Sequence, residues 1–123
     1  MNLWNWLMAC LLGLMMSVAI AGTADTYHYK ATADNGKESY DLVITPGTFT
    51  WTGLTGEDKG VHASSPSQHT NLANAIEVIQ WKGRKLHSFN TIIIDHDNLT
   101  YVYSGTDGKT SSLGNGHLEK VLN

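Results

Sequence analysis

The sequence predicts an all-β domain, an antiparallel sandwich or small barrel of about seven or eight short strands behind an apolar N-terminal leader. Three observations carry that expectation. β-Branched and aromatic residues recur in short runs from Thr26 onward. Clusters of Gly, Asn, Asp and Pro separate these runs at intervals of about 8–12 residues, the spacing of hairpin-linked strands. No stretch sustains a 3.6-residue apolar period, and the only helical hint is a turn around Asn71 to Ile76.

The leader stands apart from the rest. From Leu3 to Ala21 it is almost wholly apolar, and no charged side chain occurs before Asp25. Ala19-Ile20-Ala21 followed by Gly22 is the small-x-small pattern that a signal peptidase accepts. Residues 1–21 therefore read as a secretory signal peptide and residues 22–123 as one exported domain, periplasmic or extracellular. The segment Met1 to Trp6 carries no Lys or Arg, and the apolar run approaches the roughly 18 residues that span a bilayer, which keeps an uncleaved anchor as an alternative. Leu7-Met8-Ala9-Cys10 resembles a lipobox, although most of the apolar core follows that cysteine instead of preceding it. Cleavage after Ala21 removes Cys10, the one cysteine of the chain. The domain is thus expected to rely on a packed core, without disulfides or thiol chemistry.

The strands follow in order. Thr26 to Thr32 ends at Ala33-Asp34-Asn35-Gly36, a tight-turn sequence. Lys37 to Ile44 places Tyr40, Leu42 and Ile44 on one face with Asp41 opposite, and Pro46-Gly47 breaks it. Thr48 to Thr52 alternates threonine with Phe49 and Trp51, the clearest period of two in the chain. Residues 53–67, with Gly53, Gly56, Gly60, Pro66 and three serines, read as a long functional or mobile loop. Gln68 to Leu72 is a short strand at best, whereas Ala75 to Trp81 is a better one closed by Lys82-Gly83-Arg84-Lys85. Leu86 to Ile94 is the longest and stops at Asp95-His96-Asp97-Asn98. Leu99 to Ser104 and Gly116 to Leu122 complete the set. Closing so small a sheet into a barrel removes its exposed edges.

Composition narrows the partners. The net charge is −3, so no basic face is available for nucleic acid and no polybasic patch for anionic lipid. No membrane contact is expected once the signal is removed. Six histidines invite a metal hypothesis, but none are paired as HxH or HxxxH and no cysteine assists, so no metal or other cofactor is expected. Asp95-His96-Asp97 reads as a solvated turn, and His62 and His69 as loop residues that meet a strand histidine only by long-range folding. No GxSxG elbow, GxGxxG or P-loop occurs, so no catalytic residue is assigned. Asn98-Leu99-Thr100 matches a glycosylation sequon at a tight turn.

Taken together, Asn35-Gly36-Lys37-Glu38-Ser39-Tyr40-Asp41-Leu42-Val43-Ile44, Phe49-Thr50-Trp51, Ile76 to Trp81, Ile92-Ile93-Ile94-Asp95 and Leu99 to Tyr103 resemble, in order and spacing, the calycin barrels of the phenolic acid decarboxylase and MoaF-like group. The resemblance implies a lipocalin-like barrel with a ligand cavity. It does not imply the decarboxylase reaction. Where those enzymes have a Y-x-Y pair before the N-G turn, this chain has Ala31 and Ala33; their arginine corresponds to Val61 and their acidic residue to Gly83. Tyr27 and Tyr29 do form a Y-x-Y, four residues earlier, about 13 Å along a strand.

The expected function is therefore small-molecule binding by an exported barrel of the MoaF-like type. The ligand is a small apolar or partly aromatic molecule, held by Tyr29, Tyr40, Trp51, Trp81, Phe89 and Tyr103 with His87 as a polar contact. A protein-interaction or inhibitor module acting through the 53–67 loop is one alternative. A divergent decarboxylase or lyase is another, favoured by a buried Arg or Glu facing a Y-x-Y pair. Which face of Leu86 to Ile94 points inward stays open, because the two faces have similar polarity. The oligomeric state is likewise open.

Overall fold

A computed structural model describes residues 25–122; the expected signal peptide lies outside them. Eight antiparallel strands close into one barrel, each paired with its sequence neighbours and the last with the first. They are β1 (Tyr27–Ala33), β2 (Ser39–Thr45), β3 (Thr48–Thr55), β4 (His62–Ala73), β5 (Ile76–Lys82), β6 (Phe89–Asp95), β7 (Thr100–Thr106) and β8 (Ser111–Lys120). The all-β barrel expected from the turn spacing is the observed fold, with no helix among the described residues. The helical hint at Asn71 to Ile76 resolves into the end of β4 and a two-residue turn.

The expected loop over residues 53–67 is the main correction. β3 runs on to Thr55 and β4 begins at His62, leaving only residues 56–61 as connection. β4 pairs with β3 through residues 62–66 and then with β5 through 67–73, with Pro66 at the change of partner. Its inward residues face bulky neighbours: Ala63 lies beside Trp51, Ser65 beside Phe49, and Ser67 beside Trp81. Small polar side chains are what such positions leave room for, which is why a strand carries loop-like composition here.

Strand alternation sets two different halves of the interior. Toward the end that carries the turns at 46–47, 74–75 and 96–99, Tyr29, Ile44, Phe49, Ile79, Ile94 and Leu118 pack into a continuous core. Ile44, Ile79 and Ile94 are fully buried, each contributing about 1.5–3 kcal/mol of apolar transfer. Toward the other end, bounded by the connections 34–38, 56–61, 83–88 and 107–110, the inward positions become small. Ala31, Ala33, Ala63, Ser65, Gly105 and Gly114 replace the isoleucines, and the barrel is left hollow there.

Candidate functional site

The hollow end is a cavity of about 640 Å³, within the range of small-molecule pockets. Its aromatic wall is Tyr40 from β2, Trp51 from β3, Trp81 from β5 and Tyr101 and Tyr103 from β7. Tyr40 meets Trp51 edge to face at 5.9 Å, and Trp81 lies 6.4 Å from Tyr103 while stacking on Phe49 at 4.1 Å. Phe49 thereby forms the floor that separates cavity from core.

Glycine makes two of these features possible. A Cβ on Gly105 meets the Tyr103 hydroxyl at 2.1 Å and Asn90 Oδ1 at 2.7 Å. Its absence lets the Tyr103 hydroxyl donate to Asn90 Oδ1 at 2.7 Å inside the cavity. At Gly114, across from Tyr103, nothing lies within 4 Å of an added Cβ. That position opens straight into empty space.

The polar groups cluster at the rim. Tyr40 donates its hydroxyl to Asp58 Oδ2 at 3.3 Å. Burial first, then the charges of Asp58 and Glu38, push that phenol well above its ordinary range. The Tyr101 hydroxyl is raised by burial, then by Asp34 and Glu38, and the Tyr103 hydroxyl chiefly by burial. All three therefore stay neutral donors at ordinary pH.

Of the residues expected to line the site, Tyr40, Trp51, Trp81 and Tyr103 lie around one cavity. Tyr29 belongs to the packed half, 1% exposed. His87 and Phe89 do not face inward. Phe89 is outside the barrel at 44% exposure, and His87 is exposed in the 83–88 connection with positive φ. The inner face of β6 is Asn90, Ile92 and Ile94, so Phe89 shares the outer face with Ile93, in a row that continues to Val102 on β7. The inward Asn90 and the outward Phe89 invert the usual polarity, which is why alternation alone did not orient this strand.

A second constellation occupies the packed end, around a cleft that includes Tyr27, Tyr29, Glu77, His96, Asp97 and Lys120. His96 is not a solvated turn residue: its side chain is 12% exposed and stacks against Tyr27 at 4.1 Å. Its backbone N–H donates to the Ala75 carbonyl, which fixes the 96–99 turn against the end of β4 and β5. His96 Nε2 lies 2.9 Å from Glu77 Oε1, and His69 Nδ1 lies 2.9 Å from Glu77 Oε2. Burial pushes the Glu77 carboxyl up, but the hydrogen bonds and charges of His96 and His69 outweigh it and hold the group below its ordinary value. An ionised carboxylate only accepts, so both rings donate to it. On a neutral ring the remaining nitrogen accepts, His96 Nδ1 from the Tyr29 hydroxyl at 2.6 Å and His69 Nε2 from the Ser67 hydroxyl at 2.7 Å, and on a protonated ring it donates to the same oxygen. One carboxylate thus orders two hydroxyl–imidazole arms across β1, β4, β5 and the 96–99 turn. No group of three or more His, Cys, Asp or Glu side chains among the described residues is arranged to hold a metal ion.

No protein-family model matches the sequence, and no curated protein matches it. Solved structures do match. One is a "putative beta-lactamase" from Burkholderia vietnamiensis, with a TM-score of 0.69 and 12% identity, covering 77% of this chain and 92% of that one. At that identity the likeness is one of fold.

Proposed function

We propose that this chain is an exported barrel that binds a small, partly aromatic or apolar molecule at its hollow end. The observation that supports the reading most is the cavity of about 640 Å³ walled by Tyr40, Trp51, Trp81, Tyr101 and Tyr103. Burying an apolar ligand against such a wall supplies the driving force, while the Tyr103–Asn90 pair and the Tyr40 hydroxyl offer polar contacts that orient it. The sequence resemblance to MoaF-like barrels implies the same kind of site, a ligand cavity in a lipocalin-like barrel.

A neutral environment-sensitive dye, N-phenyl-1-naphthylamine, tests this. Saturable one-site binding with quenching of tryptophan emission is expected, and Gly114→Phe, which puts a ring into the open space, abolishes it without unfolding the barrel. Unsaturable binding, or binding indifferent to Gly114→Phe, contradicts the reading. Export is tested by N-terminal sequencing of the protein recovered outside the cytoplasm, which should begin at Gly22.

A lyase is the second reading, because Glu77 does face the Tyr27-x-Tyr29 pair through His96. Loss of a hydroxycinnamic acid's absorbance on incubation with the protein, abolished by Glu77→Gln, supports it. Unchanged absorbance rules that reaction out.

A further inference from the structure

The charge arrangement around the cavity names a ligand class, and that inference rests on the binding role just proposed. The inner wall is aromatic, aliphatic or neutral polar: none of the strand residues that line it is Lys or Arg, and the lining cations Arg84 and Lys85 belong to the 83–88 connection at the mouth. Four carboxylates, Glu38, Glu57, Asp58 and Asp107, line the same mouth. None of the four is ion-paired among the described residues. The two cations are in part committed elsewhere. The Arg84 guanidinium donates to the His62 carbonyl, and Lys85 lies close enough to Asp107 for its charge to act on that carboxyl.

We propose that the cavity takes an organic cation, a tertiary or quaternary ammonium carried on an apolar or aromatic body. Indole and phenol faces attract such a cation through the negative face of the ring, and Tyr40, Trp51, Trp81, Tyr101 and Tyr103 converge on one space. Among the charged groups that line the mouth, carboxylates outnumber cations four to two, which favours a cation at the wall itself, while Lys37, Lys59 and Lys109 on the same connections balance the field farther out. Asp58 reaches the aromatic wall directly, because it accepts the Tyr40 hydroxyl. Burial first, and then the carboxylates of Asp58 and Glu38 for Tyr40 and of Asp34 and Glu38 for Tyr101, raise these two phenols and keep them neutral. A carboxylate ligand meets the opposite situation. It is desolvated with no cationic partner among the strand residues of the inner wall.

Calorimetric titration of the purified protein with three probes of one shape separates the possibilities. They are benzyltrimethylammonium, its neutral isostere neopentylbenzene, and 3-phenylpropionate. The cation is expected to bind about tenfold more tightly than the isostere, the scale of a desolvated cation–aromatic contact, and the anion least tightly. The Glu38→Gln and Asp58→Asn double variant should narrow the cation-to-isostere ratio, and raised salt should narrow it in the same direction. Equal affinities for cation and isostere, or tighter binding of phenylpropionate, overturn the proposal while leaving a binding cavity intact. Failure of all three probes to bind, with the barrel folded by circular dichroism, overturns the binding role itself.

Discussion

Glu77→Gln is the perturbation whose consequence the structure defines most fully. The carboxylate accepts from His69 and His96 at 2.9 Å each, and its side chain is 14% exposed. A glutamine keeps one acceptor oxygen but turns an N–H₂ toward an imidazole N–H. That ring must switch tautomer, and its far nitrogen then donates to the Ser67 or Tyr29 hydroxyl, which can rotate to accept. The bonds survive; the charge assistance does not. Hydrogen bonds to charged groups contribute about 1.5–3 kcal/mol and neutral ones about 0.5–1.5, so two bonds lose about 2 kcal/mol, less whatever desolvation of the carboxylate is relieved. For a domain of this size a loss of about 1–2 kcal/mol lowers Tm by roughly 4–15 °C. Because the folded carboxyl lies below its ordinary value of 4.5, the stabilisation is complete above that value and is lost as pH falls through the folded one. Urea midpoints of the two proteins should therefore differ at about pH 7 and converge as pH falls below the folded value. Equal midpoints at neutral pH, or a difference unchanged in acid, refute the reasoning.

Three further outcomes follow from the same geometry. Gly116→Ala should destabilise the barrel by about 1–3 kcal/mol, since its Cβ falls 2.1 Å from the Thr32 carbonyl oxygen, whereas Gly114→Ala meets nothing within 4 Å and should be nearly neutral; thermal melts of both variants check the contrast. The Tyr29 hydroxyl is pushed up to about 12 by burial, then by Tyr27 and Glu77, so its contribution to stability is fully present below the ordinary 10.0 and falls by about 2–3 kcal/mol as pH rises from there through the folded value. Alkaline unfolding followed by circular dichroism should begin in that window and shift upward in Tyr29→Phe; an unshifted transition contradicts the assignment. Gly53→Ala should loosen the 56–61 connection, because its Cβ overlaps the Asp58 carbonyl at 1.9 Å, and limited proteolysis should then cut there before anywhere else in the barrel.

The sequence made β2 and β3 legible because both alternate cleanly: Tyr40, Leu42 and Ile44, then Phe49 and Trp51, all face inward. β4 was hidden for a physical reason. Its inner positions sit beside Trp51, Phe49 and Trp81, where only small side chains fit, and its outer positions are solvated, so neither face is apolar. Phe89 and Asn90 misled in the opposite sense, an aromatic outside and an amide inside. His96 was masked by the flanking Asp95 and Asp97, whose company resembles a solvated turn. A signal for the second constellation did exist. Glu77 shares its parity with Ile79 and Trp81, and a charge on the inner face of a small barrel demands partners. The hollow end was legible only in retrospect, from Ala31, Ala63, Ser65, Gly105 and Gly114 falling at inward positions on neighbouring strands.

The claim that ligand enters the glycine-lined end, past the rim of Glu38 and Asp58 and onto the aromatic wall, is tested most directly by nuclear magnetic resonance. Titration with benzyltrimethylammonium should shift the indole N–H resonances of Trp51 and Trp81 together, saturably, and leave the His69 and His96 ring resonances in place. Shifts confined to the His69–Glu77–His96 end, or tryptophan resonances that do not move, contradict it.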